Sequence, residues 1–286
     1  MTTAKHAIRA VMPAILSRVP DVRGRGRMTL LLDRFLTDEH DPGSFQTVGR
    51  INGGFPFALD LRPWGQKFAY YYRSWEADLL RVLKELYRGG WFIDVGSSLG
   101  LYVVCMSDVV RAHGGRIASI EPVAFNLDRQ LRNIALNGIA DLVDCVSVAL
   151  GSKAGSVRLA VDPLRADNNA IVTADGDVAA EMTTLDALSS ARKWTGIGAI
   201  KMDVEGYEPK VIEGARDFIA REHPPILAEF NRERMDINGF SMDEPWDFLD
   251  AQGYLAYRLE SGRLRRIESP QRYENLFFIP RETATR

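Results

Sequence analysis

The sequence has few residues of the types that cross-link a fold or hold a soft metal. It contains two cysteines and four histidines among 286 residues. Cys105 and Cys145 lie in apolar runs, where we interpret each as a small buried hydrophobic side chain. The histidines have no metal-ligand spacing and stand at His6, His40, His113 and His223. This composition argues against a disulfide-stabilised secreted domain and against a histidine or cysteine metal centre.

Long apolar runs and a large net charge are also missing. No uninterrupted apolar stretch reaches the ~18 residues that a membrane span needs, and Pro13 interrupts the short run Ala10–Leu16. The formal net charge of −2 argues against an enzyme that binds nucleic acid by broad phosphate neutralisation. We therefore expect a cytoplasmic protein without a nucleic-acid partner and without a transmembrane segment.

Positive charge is nevertheless concentrated in residues 1–36. Seven basic residues against Asp21 and Asp33 leave a charge of +5 in this segment. The basic residues are Lys5, Arg9, Arg18, Arg23, Arg25, Arg27 and Arg34. Alternating basic and apolar positions predict a solvated helical extension. Contact of this segment with an anionic partner or a membrane surface is the alternative.

After this extension, hydrophobic periodicity predicts an α/β fold with a mostly parallel, doubly wound sheet. Asn52-Gly53-Gly54 predicts a β-hairpin ahead of the sheet, and residues 254–280 predict an antiparallel hairpin after it. The predicted strands of the sheet are Trp91–Val95, Arg116–Ile120, Val143–Leu150, Ile197–Met202 and Pro225–Phe230. The predicted helices are Trp75–Arg88, Leu99–Arg111, Phe125–Asn137 and Tyr207–Ala220. We divide the chain into an N-terminal helical and hairpin extension, residues 1–54, and a main domain, residues 55–286. Within the main domain, Asp162–Glu181 is a predicted mobile loop.

The strongest local motif is the turn between the first predicted strand and its helix. Asp94 ends the strand, and Gly96-Ser97-Ser98-Leu99-Gly100 leads into the helix. Glycine lets a ligand approach the backbone, and a helix N-terminus offers unpaired N–H donors. The spacing differs from the G-x-G-x-x-G that holds a dinucleotide pyrophosphate. A tight turn without any ligand is the alternative interpretation.

Glu121, followed by Pro122, ends the next predicted strand. In a doubly wound sheet this carboxylate lies at the carboxyl edge beside the glycine turn. There it can accept strong charge-assisted hydrogen bonds from ribose hydroxyls. The two motifs together indicate an adenosine-type ligand, without separating a methyl donor from a nicotinamide cofactor.

Lys201, Asp203 and Glu205 alternate at the end of the fourth predicted strand. Period two places them on one side of the strand, and charges in a buried strand must converge on a site or pair with each other. Glu229 and Asn231 end the fifth predicted strand, so we expect them nearby. A purely structural network of Lys201 and carboxylates is the alternative.

Taken in order, these motifs resemble the FkbM family of methyltransferases. The resemblance runs from about Phe55 to Pro280, and Ser97-Ser98 stand where Ala-Asn is commoner. It is carried by Ile93–Gly96, Ile120–Pro122, Asn133–Gly138, Val148–Gly151, Thr184–Asp186 and Lys201–Gly206. It implies a Rossmann-like class I methyltransferase fold and S-adenosyl-L-methionine as cofactor. It also implies O-methylation of a small-molecule or glycan hydroxyl, such as that of a sugar, glycolipid, polyketide or other secondary metabolite.

The motifs and the resemblance together predict the site residues. Donor contacts are assigned to Glu76, Asp94, Gly96, Ser97, Ser98, Gly100, Glu121, Pro122, Asn126, Ala149 and Asp203. The base that takes the acceptor proton is predicted among Asp203, Glu205 and Glu229, with Asp203 first.

Three alternatives to this prediction stay open. We expect no metal, because Lys201 neutralises part of the negative charge, but Mg²⁺ held by Asp203, Glu229 and Asn231 is one alternative. An NAD-linked oxidoreductase and a non-catalytic binder of an adenosyl ligand are the others.

Overall fold

A computed structural model describes residues 3–18, 25–37, 42–161, 170–173, 175–269 and 273–284. The chain forms two compact units. One comprises the described residues up to residue 77, and the other comprises the described residues from 78 onwards. The predicted boundary at residue 54 stays a prediction.

The first unit contains helices and one hairpin. Its elements are the helices α1 (Thr3–Leu16), α2 (Arg25–Leu36) and α3 (Trp64–Tyr72), a 3-10 turn at Pro42–Phe45, and the strands β1 (Gln46–Ile51) and β2 (Phe55–Asp60). β1 and β2 pair antiparallel, and Asn52 and Gly53 between them have φ angles of 44° and 90°. Positive φ at both positions is what the Asn-Gly hairpin motif predicts. The sequence pattern does not predict α3.

A buried carboxylate joins α2 to α3 within this unit. Asp33 is 2% exposed, and its side chain pairs with Lys67 at 2.7 Å. The Tyr71 hydroxyl donates a hydrogen bond to the same carboxylate at 2.9 Å. Burial and the neighbouring Asp33 raise the pKa of Tyr71 above its ordinary range. The tyrosine therefore stays protonated and remains a donor.

The second unit is organised around an eight-stranded sheet. Its strands are β3 (Trp91–Val95), β4 (Arg116–Ile120), β5 (Val143–Val146), β10 (Ile197–Met202), β11 (Ile226–Asn231), β12 (Tyr254–Glu260), β13 (Arg263–Ile267) and β14 (Tyr273–Pro280). The order across the sheet is β13-β12-β14-β11-β10-β3-β4-β5. All neighbouring pairs from β11 to β5 are parallel, and the remaining pairs are antiparallel. The predicted mostly parallel α/β sheet is confirmed.

Helices connect these strands. They are α4 (Ala77–Leu86), α5 (Leu101–Ala112), α6 (Ala124–Leu136), α7 (Leu185–Arg192), α8 (Glu208–Glu213), α9 (Arg216–Glu222), α10 (Arg232–Ile237), α11 (Asp243–Ala251) and α12 (Arg281–Ala284). The prediction of one helix over Tyr207–Ala220 was wrong, because the chain turns at Gly214 between α8 and α9. A Cβ on Gly214 would lie 2.0 Å from the Gly151 carbonyl oxygen, so this turn packs tightly against a neighbouring backbone.

A second, four-stranded sheet corrects two further predictions. It consists of β6 (Ala149–Leu150), β7 (Gly155–Val161), β8 (Ala170–Val172) and β9 (Val178–Thr183), in the order β6-β9-β7-β8. The predicted strand Val143–Leu150 is therefore two strands in different sheets. The predicted mobile loop Asp162–Glu181 contains β8 and the start of β9, while residues 162–169 and 174 lie outside the described residues. The segment Val143–Leu150 contains no glycine or proline that would indicate a change of sheet.

The last strand also departs from the expected edge hairpin. β12 and β13 form an antiparallel hairpin, but β14 returns between β11 and β12. Its apolar residues Leu276, Phe277 and Phe278 are consequently almost fully buried. Among the described residues, no helix has the length and the apolar character needed to cross a membrane.

Candidate functional site

The site lies where the strand order reverses, between β3 and β10. The chain builds β3, β4 and β5 in one direction and then places β10 and β11 on the other side of β3. Asp94 is paired in register with Lys201, and the Asp203 N–H donates to the Val95 carbonyl at 3.0 Å. Ligands of open α/β sheets bind outside the carboxyl ends of the strands at such a reversal. The topology thus brings the glycine turn after Asp94 and the charged residues from Lys201 to the same edge of the sheet.

The glycine turn after β3 is hydrogen-bonded to β4 and packs against the residue that follows β10. Gly96 has a φ of 76° and donates its N–H to the Ile120 carbonyl at 2.9 Å. A Cβ on Gly96 would lie 1.9 Å from the Asp203 carbonyl oxygen. The Ser97 hydroxyl is 2.7 Å from the Ser119 hydroxyl, and both serines are buried. Gly96 is therefore required for contact between this turn and the backbone of Asp203.

Glu121 connects the turns that follow β3 and β4. One carboxylate oxygen accepts the Ser98 N–H at 2.8 Å, and the other accepts the Val123 N–H at 2.9 Å. Asn126 of α6 donates to the latter oxygen at 3.3 Å. Burial raises the pKa of Glu121, while these three donors oppose the rise. A carboxylate has about four acceptor positions, so with three donors present this one retains a position for a donor from a ligand.

Asp94 is a buried carboxylate that faces the other charges of the site. It is 2% exposed, and its Oδ2 atom has no hydrogen-bond partner among the described residues. Burial raises its pKa to about 7; Lys201 opposes this rise, whereas Asp203 and Glu121 add to it. A buried oxygen without a partner is costly. This observation fits a site that receives a hydrogen-bond donor from a bound ligand.

Lys201, Asp203 and Glu229 form a charged group at the ends of β10 and β11. Lys201 is 2% exposed; its Nζ lies 3.1 Å from Asp203 Oδ2 and 4.9 Å from the centre of the Tyr102 ring. Against the effect of burial, Lys201 and a hydrogen bond with Glu229 lower the pKa of Asp203. Burial and Asp203 raise the pKa of Glu229 to about 9. At neutral pH, Asp203 is therefore the ionised member of the pair and Glu229 holds the proton.

Glu205 and Asn231 have partners of their own. Glu205 forms a salt bridge with Arg234 of α10. Asn231 caps that helix, because its side-chain oxygen accepts the Arg234 N–H at 3.2 Å. Arg234 thus ties the loop after β10 to α10, the helix that directly follows β11. The Mg²⁺ alternative named Asn231 beside Asp203 and Glu229, but in the structure Asn231 caps α10 and Glu205 lies with Asp203 and Glu229.

Glu208 is a site residue that the sequence argument missed. It is fully buried at the start of α8, and one carboxylate oxygen accepts the Val204 N–H at 2.8 Å. The other oxygen has no hydrogen-bond partner among the residues the structure covers. Burial raises the pKa of Glu208 to about 8, and Asp203 and Glu205 contribute to the rise. The alternating charges Lys201, Asp203 and Glu205 end three residues before Glu208. The pattern that predicts the other site carboxylates therefore does not include it.

Replacing Glu208 with Gln should flatten the dependence of stability on pH. The folded-state pKa of about 8 lies above the ordinary 4.5, so the folded chain binds more protons than the unfolded chain between these values. The stabilisation by protonated Glu208 is complete below about 4.5 and is lost as the pH rises through about 8. Melting temperatures measured from about pH 5 to pH 9 should fall less steeply in Glu208→Gln than in the wild type. Glu213→Gln, at the exposed end of α8, is the matched control, and equal slopes in all three proteins would contradict the assignment.

The remaining predicted donor residues lie in three places. Gly100 is the N-cap residue of α5 with a φ of 87°, and Ala149 packs with Val123 beside the Glu121 turn. Pro122 is half-buried next to Glu121. Glu76 belongs to the first unit, directly ahead of α4, and its role in donor binding stays a prediction. Gln130 of α6, which was not predicted, is fully buried against Gly100.

The three predicted catalytic carboxylates could also hold a cation. Asp203, Glu205 and Glu229 each offer an oxygen, and these oxygens lie within 4.8 Å of one another. Lys201 and Arg234 already pair with two of the carboxylates, and the raised pKa of Glu229 gives the third a proton. Three negative groups are thus balanced by two cations and one proton. A divalent ion would have to compete with charges that the protein itself supplies.

The fold and this edge define the class of protein. A sheet with an acidic residue at the end of β3, a small-residue turn, and a carboxylate at the end of β4 is the arrangement of a Rossmann-like class I methyltransferase. Residues 94–256 match the model of the methyltransferase FkbM domain. The chain belongs to this family, as the motifs predict.

Comparison with solved structures gives further likenesses. An FkbM methyltransferase from Methylobacillus flagellatus is 18% identical with a TM-score of 0.45, over 96% of this chain and 60% of that one. A precorrin-6y C5,15-methyltransferase from Geobacter metallireducens is 11% identical with a TM-score of 0.39, over 72% of this chain and 86% of that one. The chain thus spans less than two thirds of the first of these structures. No curated protein matches the sequence. Assignment to the family rests on the sequence match.

Proposed function

We propose that the protein is an S-adenosyl-L-methionine-dependent O-methyltransferase that acts on a hydroxyl group of a small molecule or glycan. The observation that carries this proposal is the Asp203–Glu229 pair, whose carboxyl oxygens lie within 4.8 Å of each other beside Lys201, at the edge that also holds the Gly96 turn. Such a pair can accept one proton at Asp203 while Glu229 remains a hydrogen-bond donor. A cytoplasmic location is part of the proposal.

The donor would be held by the turns after β3 and β4. Glu121 would accept hydrogen bonds from the ribose hydroxyls, and the Asp94 oxygen that lacks a partner would accept one from the amino group or a bound water. When bound, S-adenosylmethionine supplies a methyl group on a sulfonium that is its own leaving group. The protein's tasks are then to align the acceptor oxygen with that methyl group and to receive the acceptor proton.

Glu121→Ala should weaken donor binding by about 1.5–3 kcal/mol, because it removes hydrogen bonds to a charged acceptor. The same change leaves the N–H groups of Ser98 and Val123 without their present partner, so stability must be measured in parallel. Titration calorimetry with S-adenosylmethionine and with S-adenosylhomocysteine gives the affinities. Asp128→Ala, an exposed carboxylate on the same helix as Asn126, is the control. A folded Glu121→Ala protein with wild-type affinity removes Glu121 from the donor site.

A surface pocket beside α10 is the proposed acceptor site. It has a volume of about 380 Å³, is open to solvent, and is lined by Ile171, Asn231, Glu233, Arg234, Ile237 and Asn238. Arg234 connects it to Glu205 and so to the catalytic edge. Two isoleucines beside charged and amide groups suit an acceptor that has both an apolar part and polar oxygens.

The test of the proposed function is donor turnover with a panel of acceptors. Formation of S-adenosylhomocysteine that depends on a hydroxyl-bearing acceptor, with the methyl group on oxygen in the product, is the expected result. Transfer to nitrogen or carbon would contradict O-methylation. Tight donor binding without turnover on any acceptor would favour a non-catalytic binder, and a nicotinamide cofactor co-purifying with the protein would favour an oxidoreductase.

Activity should survive treatment with EDTA. The charge balance around Asp203, Glu205 and Glu229 is complete without an added ion, so removal of divalent metal should change turnover by less than about twofold. The assay compares EDTA-treated enzyme with and without added Mg²⁺, using a Mg²⁺-dependent methyltransferase as the positive control. Loss of activity with EDTA and its recovery with Mg²⁺ would overturn metal independence.

A further inference from the structure

The first unit presents an exposed apolar surface on two neighbouring helices. We define the N-terminal apolar stripe as Ile8, Val11 and Ile15 of α1 together with Met28, Leu31 and Phe35 of α2. All six side chains are exposed, Leu31 and Phe35 by 72% and 76%. In each helix the spacing of three and then four residues keeps them on one face. Lys5 of α1 lies 5.6 Å from the centre of the Phe35 ring, so the exposed faces of the two helices adjoin.

The opposite faces of these helices are buried within the unit. Arg9 and Leu16 of α1 and Thr29 and Leu36 of α2 are each less than 5% exposed. The stripe is therefore not the face that stabilises the unit. Large contiguous apolar surfaces rimmed by polar groups usually mark an interaction site.

Within the described residues 3–18 and 25–37, the exposed charged side chains are all basic. Arg18, Arg27 and Arg34 are exposed. The only carboxylate in α1 or α2 is Asp33, which is buried and paired with Lys67. An amphipathic surface with apolar side chains at its centre and basic side chains at its rim suits the boundary between lipid headgroups and acyl chains. A second copy would bring like charges together, and nucleic acid would leave Leu31 and Phe35 in water.

We propose that the N-terminal apolar stripe docks on an anionic lipid bilayer surface. The apolar side chains enter the headgroup region, and the arginines contact the lipid phosphates. This inference does not rest on the proposed methyl transfer. It assigns to the extension the role of holding the protein at a membrane surface.

The test is flotation of the full chain with vesicles. Binding to vesicles of phosphatidylcholine mixed with phosphatidylglycerol is expected, with weaker binding to phosphatidylcholine alone and a decrease as salt is added. The double change Leu31→Ser and Phe35→Ser should lower the partition coefficient at least about tenfold, because two exposed anchors no longer enter the bilayer. The double change Arg27→Gln and Arg34→Gln should lower the partition coefficient on the anionic vesicles only.

Matched controls use the same chemistry elsewhere on the chain. Leu131→Ser with Leu136→Ser replaces two exposed leucines of α6, and Arg265→Gln with Arg266→Gln replaces two exposed arginines of β13. Both double variants should bind the anionic vesicles as the wild type does. Circular dichroism verifies that every variant is folded. The proposal is overturned if the wild type does not float with anionic vesicles, or if the Leu31/Phe35 variant floats equally well. A wild-type dimer that dissociates in that variant, without vesicle binding, would identify a second copy as the occupant.

Discussion

Asp203→Asn should lower turnover about 10²–10⁴-fold, the usual contribution of a general base, while donor affinity changes little. The substitution keeps the size of the side chain but removes proton acceptance. Asp203 is the ionised member of its pair, because Lys201 at 3.1 Å and Glu229 lower its pKa. After transfer, the acceptor proton would reside on Asp203, and the pair would carry two protons. Single-turnover kinetics and calorimetry on the same preparations separate the chemical step from donor binding.

Glu229→Gln is the matched variant for this prediction. Glu229 already holds a proton at neutral pH, so a neutral amide preserves its charge and its ability to donate. Its loss in turnover should be less than about tenfold. Donor binding ten times weaker with near-normal turnover in Asp203→Asn would make Asp203 a ligand anchor and move the catalytic role to Glu205 or Glu229. Equal losses of thermal stability in Asp203→Asn and Glu205→Gln would instead favour a structural ion network.

Gly96→Ala should disrupt the site, although it adds a single methyl group. The new Cβ would lie 1.9 Å from the Asp203 carbonyl oxygen, so the turn or the end of β10 must move. In addition, a φ of 76° is unfavourable for alanine by about 1–2 kcal/mol. We expect a stability loss of about 3 kcal/mol or more and a loss of turnover of at least about 10²-fold, because displacement of Asp203 disturbs alignment.

Gly114→Ala provides the matched control. Gly114 also has a positive φ, 64°, but a Cβ there meets nothing within 4 Å. Gly114→Ala should lower the free energy of unfolding by only about 1–2 kcal/mol, because alanine disfavours a positive φ. Turnover should be unchanged. Thermal melts and donor turnover of the two variants isolate the effect of the contact with Asp203. Similar behaviour of the two variants would show that this contact has no special importance.

The sequence was sufficient to predict the elements whose apolar pattern is strong. The parallel strands from β3 to β11 and the convergence of Glu121, Asp203 and Glu229 on one edge follow from periodicity and topology. The four-stranded sheet was missed because its short strands are polar on one side and are separated by loops. Glu208 was missed because a buried carboxylate next to a helix start has the sequence of an ordinary exposed first-turn glutamate. Pairing of Glu205 with Arg234 was also unpredictable, since it depends on where α10 lies after β11.

Crystals of the protein with S-adenosylhomocysteine test the central claim most directly. The account predicts that the ribose hydroxyls contact Glu121. The amino-acid part of S-adenosylhomocysteine should lie by the Gly96 turn. Its sulfur should face the Asp203–Glu229 pair across a gap that is open to the pocket beside α10. A ligand bound at another edge of the sheet, or in this place with its sulfur directed away from Asp203 and Glu229, would contradict it.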